Sequence, residues 1–259
     1  MSFAESPDAN VALSQCEDAA AREVLDLYLS VVIPVFNEEA SLDILYSELV
    51  TALARVTGAS EIVFVDDGST DASLVVLRAL EAKDARVRVV SLDTNCGQSA
   101  ALDAGFRAAR GEVTATLDAD LQNDPAEIPM LLSYLDRADV VNGIRVSRRD
   151  TWFRRLSSRV ANGVRNWATR ADVTDIGCSL RVMRTVYLRK IKLYGGMHRF
   201  LPTLLAMEGA KLCEVEVTHR ARRFGTSKYG ISNRAFVALA DLLAVCWMQR
   251  RSLRYGVRR

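Results

Sequence analysis

At 259 residues, with 49% hydrophobic and 25% charged residues, the chain has the size and composition of a large globular domain with a substantial core, which excludes a disordered or fibrous protein. The formal charge of +2 averages over a polarised chain: Glu5, Asp8, Glu17, Asp18, Glu23 and Asp26 crowd the start, while residues 145–170 carry eight arginines against Asp150. Five cysteines, Cys16, Cys96, Cys178, Cys213 and Cys246, are scattered without a CxxC pair, so neither a zinc knuckle nor a disulfide framework is expected and the thiols read as reduced.

Residues 1–27 read as an N-terminal extension, partly disordered or helical, without the basic start and apolar core of a secretory signal. Five short β-branched or apolar runs then read as strands, at 29–35, 61–65, 87–92, 113–117 and 140–142. Helices are expected between them, near 39–57, 71–83, 97–109 and 125–137, with Asp124 as N-cap and Pro125 in the first turn of the last. Such alternation builds βαβ units, hence an α/β fold with a mainly parallel sheet flanked by helices. Beyond residue 145 the alternation fades into a basic helix over 152–169, a polar loop, a helix near 198–208, a strand over 211–217 and an amphipathic final helix with a basic tail over 231–259. No run reaches the roughly 18 apolar residues of a membrane span; the nearest, 235–248, is short and carries Asp241.

In open sheets of this kind ligands bind beyond the carboxyl ends of the strands. Three acidic clusters fall there: Glu38 in Phe36-Asn37-Glu38, Asp66-Asp67-Gly68-Ser69, and Asp118-Ala119-Asp120. Two carboxylates spaced i, i+2 can turn toward one hard cation, so Asp118 and Asp120 are candidate ligands of Mg²⁺ or Mn²⁺ on a diphosphate. Asp66 and Asp67 repel one another unless they hold a donor or a cation, and Asp67 is expected to meet the nucleotide. Gly68 and Ser69 also fit an ordinary turn and helix cap. The arginine-rich segment 145–170 expects anions, because a planar guanidinium matches phosphate oxygens bidentately. His198 and His219 lack metal-ligand spacing and are expected in core or surface roles.

In order, Pro34-Val35-Phe36-Asn37-Glu38, Asp66 to Asp71, Asp118-Ala119-Asp120-Leu121-Gln122 and Arg222-Arg223-Phe224-Gly225-Thr226-Ser227-Lys228-Tyr229 resemble the motifs of inverting family-2 glycosyltransferases. The likeness, over about residues 29–248, is to the polyprenyl-phosphate branch that includes dolichol-phosphate mannose synthases. That resemblance implies a GT-A, Rossmann-like catalytic domain over 28–230 with an acceptor-side helical extension. It implies that Pro34, Phe36, Glu38, Val65 and Asp67 surround the nucleoside of a GDP- or UDP-linked sugar, with Ala119 beside it. Asp118, Asp120 and Gln122 would serve the metal and diphosphate; Arg145, Arg155 and Ser158 the acceptor phosphate of a polyprenyl lipid. Arg222 and Lys228 would flank a glycine loop closing over the diphosphate. Asp175 either orients sugar hydroxyls or pairs with Arg181 as scaffold. Besides the lipid, an anionic membrane surface on the cytoplasmic side is an expected partner, given Arg250, Arg251, Arg254, Arg258 and Arg259. Nucleic acid is not expected, and a homo-oligomer is compatible. Two other readings stand beside this one: transfer to a sugar hydroxyl with a carboxylate base such as Asp175, and a noncatalytic nucleotide-sugar-binding protein.

Overall fold

The computed structural model describes residues 27–146, 173–224 and 234–253. The sheet has seven strands: β1 Leu27–Val35, β2 Ala59–Asp66, β3 Val87–Ser91, β4 Val113–Thr116, β5 Val140–Arg145, β6 Arg181–Arg184 and β7 Leu212–Val217. Their order is β3-β2-β1-β4-β6-β5-β7, and every pairing is parallel except the two made by β6. The chain therefore winds outward from β1 in one direction and restarts at β4 on the other side. The β1/β4 boundary is the switch point at which a crevice opens beyond the strand ends.

Central strands read as continuous apolar runs because both faces are covered. Along β1, Val31, Ile33 and Val35 enter one core with Leu42, Leu45 and Leu49 of helix α1 (Glu39–Leu53) and Leu77 and Leu80 of α2 (Ser73–Lys83). Val32, between them, enters the opposite core with Ala101, Leu102 and Phe106 of α3 (Gln98–Ala108). Val65 belongs to that second core and is fully buried beneath α3, so it supports the cleft from below and does not line it as expected.

The expected helix over 125–137 is broken. A 3₁₀ turn Pro125–Glu127 leads into α4 (Ile128–Leu132) and a second 3₁₀ turn Ser133–Asp136. Asp124 caps the start, accepting from Ala126 N at 2.9 Å, but Pro129 removes a further backbone donor and the α-helix stays short. The region near 198–208 is likewise a 3₁₀ turn, Met197–Phe200, before α6 (Leu201–Met207), with Pro202 in its first turn. Strand β6 is the element that sequence patterning does not show. Followed by the single-turn α5 (Thr185–Leu188), it pairs Thr116 with Arg181 on one side and Asn142 with Arg181 on the other. Because β6 runs backwards, its first residue and the loop before it lie at the carboxyl ends of β4 and β5. The final helix α7 (Arg234–Arg251) packs Val245 against Met197, Phe200 and Leu204. The basic helix expected over 152–169 lies outside the described residues.

At the opposite end of the sheet, Glu61 is 1% exposed in the middle of β2's neighbours. It accepts from Ser30 Oγ at 2.7 Å, Arg110 N at 2.8 Å and Arg88 Nη1 at 3.0 Å. Burial alone would push its pKa up; the hydrogen bonds from Ser30, Arg110 and Arg88 outweigh burial and hold it below the ordinary glutamate value. A carboxylate with a depressed folded pKa stabilises above its unfolded pKa, and that contribution disappears as pH falls through the folded one. Glu61→Gln should therefore cost about 2–4 kcal/mol at neutral pH in urea unfolding, and the difference from wild type should shrink below pH 4.

Candidate active site

The site begins with a carboxylate turned inward. Asp67, at the end of β2 and 3% exposed, accepts from Cys96 N at 2.8 Å, Gly97 N at 2.9 Å and Asn95 Nδ2 at 3.1 Å. The donor needed to relieve the Asp66/Asp67 repulsion is thus supplied by the protein's own loop. Gly68 makes the approach possible: a Cβ there would lie 2.5 Å from both Thr94 C and Asn95 N. Asp67 borders one lobe of the cleft, and its carboxylate holds the 95–97 loop. The loop sets the start of α3, and Gln98 then donates to Asp118 Oδ1 at 2.7 Å.

Beyond β4, Asp118 and Asp120 stand where the two lobes of the cleft meet. One lobe, about 660 Å³, is bordered by Pro34, Phe36, Glu38, Asp67, Asp120 and Arg222, with Ala119 and Gln122 also on its wall. The other, about 650 Å³, is bordered by Gln98, Arg145, Ser179, Arg181, His198 and Arg199. Asp118 lines both. The turn after Asp120 places Leu121 in the left-handed region, at φ 61°, with its side chain 1% exposed in the core. A leucine holds that conformation only where packing over-determines it, so the buried side chain pins the acidic turn.

Asp118 has its pKa pushed up to about 6, by burial first and by the charge of Asp120 second. Arg222 answers part of this charge, reaching Asp120 Oδ2 at 3.1 Å and Glu38 Oε1 at 3.3 Å. Among the described residues no cluster of three or more His, Cys, Asp or Glu side chains could hold a metal alone. Two mutually repelling carboxylates at one strand end instead suit a cation that completes its shell with substrate phosphates and water, as Mg²⁺ commonly does. Gln122 is turned away from this pair, with Nε2 3.5 Å from the Arg220 carbonyl, and its backbone N–H donates to Asp120 Oδ1 at 3.2 Å. Here it shapes the turn through its backbone.

The second lobe is built by the loop before β6. Arg145 and Asp175 form a bidentate pair, Nε to Oδ2 at 2.7 Å and Nη2 to Oδ1 at 2.8 Å. Among the described residues the ion pair of Asp175 is therefore with Arg145 and not with Arg181, the scaffold partner expected as one alternative. Gly177 allows the pair: a Cβ there would lie 2.6 Å from Arg145 Nη2. Arg181, 4% exposed, instead bonds Asn142 Oδ1 at 2.8 Å, the Ile176 carbonyl at 2.8 Å and the His198 carbonyl at 3.3 Å. Cys178 is buried in the same loop, and burial pushes its thiol up to about 11, which leaves it unreactive. Gln98, Ser99, Arg181, His198 and Arg199 escaped the sequence reading as site residues, since β6 and the packing of the turn bearing His198 on α3 leave no pattern in the sequence. Arg155, Ser158 and Lys228 lie outside the described residues.

Residues 30–192 match the glycosyl transferase family 2. The chain belongs to that family. It is 42% identical over 239 residues to dodecaprenyl-phosphate galacturonate synthase of Rhizobium johnstonii, covering 90% of this chain and 70% of that one. It is 41% identical over 206 residues to the undecaprenyl-phosphate 4-deoxy-4-formamido-L-arabinose transferase of Edwardsiella ictaluri, covering 79% of this chain and 63% of that one. Among solved structures, glucosyl-3-phosphoglycerate synthase from Mycobacterium tuberculosis, in complex with Mn²⁺, UDP and glucosyl-3-phosphoglycerate, superposes with a TM-score of 0.61 at 19% identity, covering 91% of this chain and 84% of that one. That superposition establishes the GT-A fold of this family-2 glycosyltransferase, and the fold anticipated from the strand-end motifs is the one found.

A carboxylate whose folded pKa is raised destabilises the fold above that pKa and has no such effect below its unfolded value. For the metal-free enzyme, Asp118→Asn should raise stability at pH 7.5 by about 1–3 kcal/mol, several degrees in Tm, with the gain gone near pH 4. The same variant should lose stabilisation by Mn²⁺ with a nucleoside diphosphate, and in the wild type that stabilisation should weaken as pH falls through about 6, both read by thermal melts.

Proposed function

We propose that this enzyme moves a sugar from a nucleoside diphosphate to the phosphate of a polyprenyl lipid, with inversion. The observation that carries this reading is the division of the cleft by charge. The nucleotide-side lobe is bordered by the acids Glu38, Asp67, Asp118 and Asp120, whereas Arg145, Arg181 and Arg199 border the other, in which Asp118 is the one acid among the described lining residues. Asp118 and Asp120 would hold Mg²⁺ or Mn²⁺, which neutralises the leaving diphosphate and acts as a Lewis acid on it. Arg222, above Asp120, adds a second positive charge to that side. On the acceptor side a phosphate oxygen attacks the anomeric carbon while the bond from that carbon to the diphosphate oxygen breaks, its electrons leaving with the diphosphate. No proton is transferred, since a phosphate is already ionised at neutral pH. The work of the arginines is to bring two anions together, with Arg145 fixed by Asp175, and Arg155 and Ser158 assigned to the same phosphate. Both curated relatives named above carry a polyprenyl phosphate in their names, which supports this acceptor.

A hydroxyl acceptor would need a base in the second lobe, and Asp175 has both oxygens bound to Arg145. In an assay of nucleotide sugars against undecaprenyl and dolichyl phosphate, Arg145→Ala should lower kcat/KM for the lipid about 30–300-fold. Asp175→Asn should lower it less, about 3–30-fold, by loosening Arg145. Loss of all turnover in Asp175→Asn with Arg145→Ala active would favour the hydroxyl reading instead.

The enzyme is further proposed to work at the cytoplasmic surface of a membrane. Among the described residues no helix is long and apolar enough to cross one. Helix α7 instead presents Leu239, Leu243 and Trp247, 53%, 62% and 63% exposed, one helical step apart, with Arg250 and Arg251 at its end. Leu243→Ser combined with Trp247→Ser should reduce cosedimentation with anionic vesicles at least about tenfold, while neutral vesicles bind weakly in either case.

A further inference from the structure

Arg181 and Arg199 supply charge to the second lobe, and Arg145, paired with Asp175, adds a fixed guanidinium; His198, on the same wall, carries none and touches neither carboxylate of the acidic pair. Its Nδ1 lies 2.8 Å from Ser99 Oγ, and its own backbone N–H donates to that same oxygen at 3.4 Å. We take the arrangement in which the Ser99 hydroxyl donates to Nδ1, which places the imidazole proton on Nε2. The turn bearing the ring is held from behind by Arg181, whose Nη1 donates to the His198 carbonyl at 3.3 Å. Ser99 is equally fixed, in the first turn of α3, next to the Gln98 that holds Asp118. Nε2 has no hydrogen-bond partner among the described residues, and His198 lines the lobe.

Burial, reinforced by the charges of Arg199 and Arg181, pushes the ring's pKa down to about 4. The imidazole is therefore neutral at ordinary pH, with its one donor fixed in direction. The two lobes share Pro34, Gly97, Gln98 and Asp118. A diphosphate seated on Asp118 and Asp120 would leave its sugar the second lobe to enter, past Gln98 and toward the Ser99–His198 wall.

We propose that His198 is a specificity-determining residue for the donor sugar, its Nε2–H donating to an oxygen on the sugar ring or its substituent, with Ser99 setting the tautomer. This rests on the glycosyl-transfer reading. A neutral, pre-oriented donor rewards an acceptor oxygen at one place on the sugar and leaves a donor lacking it with an unpaired buried group, which is the kind of contact that discriminates strongly.

The test compares wild type, His198→Ala and His198→Gln by calorimetry with Mn²⁺, first with UDP and GDP, then with the matching hexose and hexuronate conjugates. The side-chain amide of glutamine can place an N–H near the position of Nε2. Nucleoside diphosphates should bind all three proteins within about twofold, because the contact is to the sugar alone. His198→Ala should lose about 10–100-fold in affinity and kcat/KM for the preferred nucleotide sugar, and His198→Gln should recover most of it. A larger loss with the hexuronate would assign the contacted oxygen to a carboxylate, a larger loss with the hexose to a hydroxyl. Unchanged nucleotide-sugar binding in His198→Ala overturns the proposal, as does failure of glutamine to recover binding, or parallel loss of the bare diphosphates, which would mark His198 as scaffold. A wild type that binds no nucleoside diphosphate would sink the glycosyl-transfer reading itself.

Discussion

The cleft depends first on the inward-facing carboxylate of Asp67. Three donors from residues 95–97 converge on it, so the loop after β3 is drawn over the end of β2. Hydrogen bonds to an ionised acceptor are among the stronger ones available inside a protein. From that anchor α3 starts at a defined point, and its first two side chains face two different parts of the site. Gln98 holds Asp118, and Ser99 holds His198. A loop without this anchor would leave the acidic pair and the Ser99–His198 wall to move independently.

Three acids show what such anchoring does and where it is withheld. Glu61 and Asp67 are both nearly inaccessible and both surrounded by donors, and Glu61 keeps a depressed pKa although it is buried. Asp118 has the Ser179 hydroxyl, the Gln98 amide and the charges of Arg181 and Arg145 to set against burial and Asp120, and its pKa still rises. The difference is not one of depth but of completion. A carboxylate left under-satisfied in a cleft is a group whose missing partner arrives with substrate, and perturbed acids of this kind mark functional sites.

Much of this was legible in the sequence because a parallel sheet converts position into proximity. Asp118-Ala119-Asp120 and Glu38 follow apolar strand runs, and the topology delivers them to the switch point between β1 and β4. Three things were not legible. The family resemblance puts Val65 beside the nucleoside, whereas strand alternation sends its side chain under α3. The partner of Asp175 was hidden because β6 is four residues long, without a periodic pattern, and its reversed direction is what brings Arg181 and the 175–180 loop to the site. Ser99 and His198 are 99 positions apart and meet only through the packing of the turn bearing His198 on α3. Side chains that act through backbone geometry, such as Leu121 and Gln122, carry no motif signal for that geometry.

The reversed strand also supplies what the proposed meeting of two anions in one cleft requires. In a fully parallel sheet every strand ends at the site, and the residues there follow apolar runs from below. A strand running the other way begins at the site, so Arg181 sits at its start, paired with both Thr116 and Asn142. Its guanidinium is fixed by carbonyl and amide oxygens and faces Asp118 across the lobe without an ion pair of its own among the described residues. That leaves a buried positive charge with its field directed into the lobe, where it is far less screened than a surface charge would be. Arg145, beside it, is different: Asp175 neutralises and orients it, so it contributes direction more than net charge. Attraction from Arg181 and geometry from Arg145 are complementary requirements for an in-line approach of one phosphate to a sugar still attached to another.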